Sequence, residues 1–208
     1  MKSIDNKIMI LDGATGTELQ KRGMPAGVCP ELWTSEHPEV QEAIHNAYIA
    51  SGADILYTPT FGGNAFKLKE YGIDNAEEIN RRLASITRRC ADNAGKPILV
   101  AGNIGPCGKF IKPFGELDFD EAVNQFKRQI KGLLDGGVDM FAVETQIDIQ
   151  ETRAYVTAIK ELCSKPIIVT MTFESTERTL NGTTPEAALI TMQSMGIQPD
   201  ILILRTEY

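Results

Sequence analysis

Gly137-Val-Asp-Met-Phe-Ala-Val-Glu-Thr145 is the stretch that decides the fold. Four apolar residues, 140–143, follow a Gly-Val-Asp turn and end on a carboxylate and a hydroxyl. A short continuous apolar run between turn residues reads as a strand buried on both faces. The same pattern recurs at residues 8–11, 54–58, 98–101, 167–172 and 201–204. Between these runs, apolar side chains return at the helical period of 3.6. Val40, Ile44, Ala47 and Tyr48 share one face. So do Ile79, Leu83, Ile86 and Cys90; Ala122, Phe126, Ile130 and Leu133; and Thr152, Tyr155, Val156, Ile159 and Cys163. Asp118, and Thr184 before Pro185, are placed as helix N-caps, and Gly52, Gly136, Gly137 and Gly196 as helix ends. The order is strand then helix five times, then a sixth strand. This predicts an α/β chain with a parallel sheet and right-handed crossovers. A doubly wound sheet and a (β/α)8 barrel both satisfy it.

The remaining composition narrows the function classes. The 208 residues are 42% hydrophobic and 24% charged, with a formal net charge of -7. Such a chain is globular and of one-domain size. Its acidity argues against nucleic acid as partner, because binding the phosphate backbone relies on Lys and Arg. No apolar run approaches the roughly 20 residues of a membrane span. The polar start and the short apolar run after it do not make a signal peptide. A cytoplasmic protein is expected. Cys29, Cys90, Cys107 and Cys163 form no Cys-x-x-Cys pair and match no zinc or disulfide spacing. Cys90 and Cys163, on expected helix faces, read as small buried hydrophobes.

In either architecture the ligand end is beyond the carboxyl ends of the strands. Those ends carry Asp12-Gly-Ala-Thr-Gly-Thr17, Thr58-Pro-Thr-Phe-Gly-Gly-Asn64, Asn103-Ile-Gly-Pro106, Glu144-Thr145 and Met171-Thr-Phe173. Asp12 and Glu144 are candidate site residues, because a carboxylate at the end of a buried strand must be paired, solvated or holding a ligand. Two of them suit an ammonium group, a metal or acid–base work. The competing reading makes Asp12 a turn cap and Glu144 the partner of a basic side chain. Gly13 to Thr17 matches neither nucleotide-binding glycine pattern and reads as a tight turn. His37 reads as a loop residue and His45 as a helix-surface residue. Trp33 either walls a pocket or pins the long loop between residues 12 and 38.

Taken in order, Leu11-Asp-Gly-Ala-Thr-Gly-Thr-Glu-Leu19, Cys29-Pro-Glu-Leu-Trp33, His37-Pro-Glu-Val40, Gly52-Ala-Asp54, Thr58-Pro-Thr-Phe-Gly62, Asn103-Ile-Gly-Pro106, Glu144-Thr145, Met171-Thr-Phe173 and Leu180-Asn-Gly-Thr183 resemble the homocysteine S-methyltransferase family. The Cys29–Trp33 loop is most similar to the homocysteine-binding module at the N-terminus of cobalamin-dependent methionine synthases. The resemblance implies a (β/α)8 TIM-type barrel, here incomplete with about six strands and five helices, in one domain over residues 1–208. It implies a methyltransferase acting on the sulfur of homocysteine to give methionine. Carried over by position, Asp12 and Glu144 hold the substrate amino group, while Gly13, Ala14, Thr15, Thr60 and Phe61 shape the pocket. Pro59 stands where many members carry Asn.

The family also implies zinc, held by three cysteines, which keeps the substrate thiol ionised. None of the four cysteines here matches a zinc position. The sequence runs from the sixth strand into Arg205-Thr-Glu-Tyr208 where the family has Gly-x-Asn-Cys-Ser. The expectation is therefore a truncated domain with no metal ligand or catalytic residue of its own, inactive alone. The alternative is an assembly module completed by another chain carrying the missing barrel segment or the cobalamin and folate modules. The methyl donor stays open between methylcobalamin and a methylated small molecule.

Overall fold

The computed structural model describes residues 8–197 and 202–206. Five parallel strands form one sheet in the order β1-β2-β3-β4-β5. They are β1 (Ile55–Tyr57), β2 (Leu99–Ile104), β3 (Met140–Gln146), β4 (Ile167–Phe173) and β5 (Leu202–Thr206). Eight helices are described: α1 (Gly16–Lys21), α2 (Pro30–Glu36), α3 (Pro38–Ala50), α4 (Ala65–Glu70), α5 (Ala76–Asp92), α6 (Phe119–Asp135), α7 (Ile149–Leu162) and α8 (Pro185–Ser194).

Two counts are corrected. The first expected strand, residues 8–11, is reduced to a single bridge between Leu11 and Ile55. Its backbone still runs beside β1, with the Ile10 carbonyl accepting from Asp54 and Ile55 and the Asp12 amide donating to the Ile55 carbonyl. The Ile10 amide, however, donates to the Asp54 side chain rather than to a ladder carbonyl. The five expected helices are present as α3, α5, α6, α7 and α8. The other three, α1, α2 and α4, are six or seven residues long; α1 and α2 lie inside the long loop expected between residues 12 and 38, and α4 lies in a stretch to which no element was assigned. Ile201 of the last expected run and the closing Glu207-Tyr208 lie outside the described residues.

Strand order excludes the doubly wound arrangement among the described strands, since that requires the order to reverse at a switch point. The packing agrees. Leu56, Val100, Phe141, Val143 and Val169 alternate onto one sheet face and join a core with Phe126, Ile130, Leu133, Tyr155 and Ile159 of α6 and α7. Phe126 and Tyr155 stack with ring centroids 3.6 Å apart. The opposite face carries a separate, smaller cluster of Ile55, Ala101, Met140, Ala142 and Ile168. Helices thus cover one face, and the other face carries the smaller cluster.

The helix starts follow their caps. Asn64, Asn75, Asp118, Asp148 and Thr184 each accept a hydrogen bond from a first-turn amide, satisfying donors that would otherwise be orphaned. α5 and α6 approach closely because Gly132 and Gly136 have no side chain. A Cβ on Gly132 would meet the Glu77 carbonyl, and one on Gly136 would meet Ala84.

Two side chains depart from expectation. His45 is fully buried rather than on a helix surface, with Nε2 3.0 Å from Thr87 Oγ1 and 3.1 Å from Gln41 Nε2. Burial pushes its pKa down to about 4, so the ring is neutral at pH 7. α3 packs against α5 at this point, which a stripe read from one helix does not reveal. Cys163 follows α7 as an extended C-cap residue rather than lying within the helix, yet it packs half-buried against the core that the α7 stripe joins.

Candidate functional site

The carboxyl ends of the strands open onto a cavity of about 810 Å³. Six of the seven sequence-predicted site residues line it: Asp12, Gly13, Ala14, Thr15, Phe61 and Glu144. Thr60 does not. It is fully buried behind the wall, where its hydroxyl meets Thr58 Oγ1 at 2.6 Å and donates to the Asn103 carbonyl at 2.7 Å.

Asp12 sits where the first chain segment leaves the side of β1. Its Oδ2 accepts from the Tyr57 amide at 3.0 Å, and its Oδ1 is buried with no hydrogen-bond partner. Burial, and then the nearby Glu144 carboxylate, push the Asp12 pKa up to about 7, against the pull of the Tyr57 amide. The turn-cap reading therefore accounts for one oxygen only. Burial also raises the Tyr57 phenol, with Glu144 and Asp12 adding to it, so that hydroxyl keeps its proton.

Glu144 owes its position to an irregularity in β3. The register against β4 shifts between Val143 and Gln146, and the next residue, Thr145, has φ 59. A β-branched residue in the left-handed region is strained. The Thr145 amide donates to Thr170 Oγ1 at 2.9 Å, which helps hold the distortion. Such a bulge breaks strand alternation and re-aims side chains; here both Glu144 and Thr145 line the cavity.

The Gly13–Thr15 turn is held from α3. The Tyr48 hydroxyl donates to the Ala14 carbonyl at 2.9 Å, and a Cβ on Gly13 would come within 2.8 Å of that hydroxyl. Only glycine permits this approach. Among the described residues the amides of Gly13, Ala14 and Thr15 donate to no protein acceptor.

Sequence reading placed Asn103 at the ligand end without naming it a site residue, and it missed Cys29, Glu31, Tyr57 and Lys67 as cavity-lining residues. Cys29 and Glu31 reach the wall because Pro30 starts α2 there, a helix too short to announce itself by period. Lys67 Nζ lies 5.5 Å from the Phe61 ring centroid. Trp33 does not line the cavity; it stacks on His37 at 4.2 Å and packs beside Leu19, Met24 and Ile44, so it pins the loop. Among the described residues lining the cavity, the carboxyl groups of Asp12, Glu31, Glu70 and Glu144 outnumber the single amine of Lys67. A cation entering the cavity would draw these carboxyls into their charged form.

The described cysteines do not fit a thiolate metal site. Cys29 is beside Glu31, Cys90 and Cys107 are buried in the helix-side core, and Cys163 follows α7. Among the described residues no three His, Cys, Asp or Glu side chains converge as metal ligands. No described helix is long and apolar enough to cross a membrane.

The family model described as Homocysteine S-methyltransferase matches residues 9–204. A methionine synthase of Mycobacterium leprae is 31% identical over 214 residues, covering 95% of this chain. The methionine synthase of Mycobacterium tuberculosis is 31% identical over 211 residues, covering 93%. The chain spans only 18% and 17% of the lengths of these two relatives. Among solved structures, the oxidized form of the homocysteine methyltransferase MmuM from Escherichia coli superimposes with a TM-score of 0.81 at 21% identity, over 98% of this chain and 75% of that one. Its metallated form gives 0.80 at 21% identity, over 97% and 75%. At that identity the likeness concerns the fold.

Proposed function

The chain belongs to the homocysteine S-methyltransferase family, and from that premise we propose that its cavity binds homocysteine for methyl transfer to the substrate sulfur. The observation that carries this reading is Asp12. A carboxyl held by one amide, with a second buried oxygen lacking a partner, is half of an ammonium site. Glu144, close enough to raise the Asp12 pKa, supplies the other half. An ammonium between them relieves the repulsion that raises Asp12 and repays the desolvation of that carboxylate. The amides of Gly13, Ala14 and Thr15 are available to the substrate carboxylate. Phe61 provides an apolar wall for the thioether-forming arm, and Thr60 fixes that wall from behind.

The metal that the family resemblance implies would serve to keep the substrate thiol ionised. The described residues do not fit that metal, so the contribution derived for this chain is amino-acid recognition and orientation. The same reading makes the sheet part of a (β/α)8 barrel spanning residues 1–208 as one domain, supported by the sequential strand order and the single helical face.

Calorimetric titration of the 208-residue chain with L-homocysteine tests the proposal. Saturable one-site binding is expected, lost in Asp12→Asn while circular dichroism stays native. A wild-type chain that takes up no homocysteine, or an Asp12→Asn variant that binds as tightly, overturns it.

A further inference from the structure

Glu31 is 5% exposed, lines the cavity and has no cationic partner within ion-pair distance among the described residues. Burial raises its pKa. A buried carboxyl with only neutral hydrogen-bond partners is a costly choice for a wall, so its contacts call for an account. Oε1 accepts from the Gly62 amide at 2.6 Å, and Oε2 lies 3.6 Å from the Cys29 thiol, which donates to it. A Cβ on Gly62 would come within 2.9 Å of Oε1, so glycine is what lets the carboxyl reach the backbone.

The turn that Glu31 grips is the one that presents Phe61. From α5, α6 and the end of β2 it is already held. Gln129 Nε2 donates to the Thr60 carbonyl at 2.8 Å, Asn80 Nδ2 donates to the Gly63 carbonyl at 2.7 Å, and the Gly105 amide donates to the Phe61 carbonyl at 3.0 Å. Those three groups hold carbonyls from behind. Glu31 holds an amide from the cavity side, and does so from α2, in the long loop after Asp12. It thereby joins two segments of the cavity lining, the loop after Asp12 and the turn that carries Phe61.

We propose that Glu31 is a positioning residue for ligand binding: its carboxyl, set between the Gly62 amide and the Cys29 thiol, fixes the Phe61 turn at the distance from the Asp12 loop that the ligand requires. The acceptor oxygen, not the charge, performs this task. The proposal rests on the homocysteine reading for its ligand, and on geometry alone for the clamp.

The test combines amide hydrogen exchange of Gly62, homocysteine titration and thermal melting on the 208-residue chain carrying Glu31→Ala, Glu31→Gln or Glu31→Asp. Loss of one such hydrogen bond corresponds to about a tenfold change. Glu31→Ala is expected to speed Gly62 exchange and weaken homocysteine binding by about that factor. Glu31→Gln, which keeps an acceptor, restores both. Glu31→Asp, too short to reach, behaves like alanine and serves if the alanine chain does not fold. Unchanged Gly62 exchange overturns the clamp. Faster exchange with unchanged affinity overturns the positioning role, and failure of glutamine to rescue overturns the acceptor assignment. A wild-type chain that binds no homocysteine, with Gly62 exchange still dependent on Glu31, defeats the functional reading and the positioning role while leaving the clamp standing.

Discussion

Asp12 carries two roles that oppose each other. In the folded chain it keeps its proton up to about pH 7, whereas its ordinary value is 3.8. Between those values the folded state binds more protons than the unfolded one, so stability falls as pH rises through that window. Asp12→Asn keeps an acceptor for the Tyr57 amide and removes the buried charge. It should therefore melt higher than the wild type at pH 8, by on the order of 1–3 kcal/mol, with the difference vanishing below the unfolded pKa. Thermal melts at pH 8 and pH 3.5 check this. Ligand binding should run the other way. A substrate ammonium needs the ionised carboxylate, so homocysteine affinity should rise by up to about tenfold per pH unit below 7 and flatten above it. Titration at pH 6.5 in buffers of different ionisation heat should show a proton released on binding. A flat pH profile from 6 to 8 would mean that Asp12 is not the group the ligand meets.

At the scale of elements, Tyr155 offers a cleaner measure of packing. It stacks on Phe126 between α7 and α6, is fully buried, and its hydroxyl has no hydrogen-bond partner among the described residues. Tyr155→Phe keeps the stack and removes the orphaned hydroxyl, so it should be neutral or stabilising by about 1 kcal/mol in urea melts. A loss of that size would show that the hydroxyl has a partner. The same elements show what the sequence could disclose. α5, α6 and α7 run for 14 to 17 residues, long enough for Leu83, Phe126 or Ile159 to recur on one face, and so they were legible. α1, α2 and α4 complete fewer than two turns and generate no stripe. Asp12 and Glu144 stood out because carboxylates end apolar runs. Glu31 did not, since it follows a proline inside an apparent loop, and its burial depends on Gly62, 31 residues away. His45 sat on a readable helix, but its second neighbour, Thr87, belongs to another element. Thr145 gave no sign of its left-handed backbone, because that conformation accompanies a register shift against β4, where its amide meets Thr170.

At the scale of the whole molecule, two unequal cores lie on either side of the one sheet, with smaller clusters around α1 to α5 beside them, and the asymmetry across the sheet has a measurable energetic consequence. The helix side buries large rings and branched chains: Phe126, Phe141, Tyr155, Ile130 and Val169 are all fully buried. The inner side is built from Ala101, Ala142, Met140, Ile55 and Ile168, with partly exposed Tyr57 and Leu99 at its margin. Adjacent residues of β3, Met140 and Phe141, point to opposite sides of this division. They share a strand and differ chiefly in which core they fill. Phe141→Ala should open a cavity between β3 and α6 that the close-packed helices cannot collapse, costing about 3–5 kcal/mol. Met140→Ala removes an adaptable side chain, 8% exposed, from a layer with fewer neighbours. Its cost should sit at or below the low end of the roughly 2–5 kcal/mol usual for such truncations. Urea unfolding of the two variants, followed by circular dichroism, measures the difference directly. Equal losses would mean that the inner face is as tightly filled as the helical one, and that the sheet owes its stability to both cores alike.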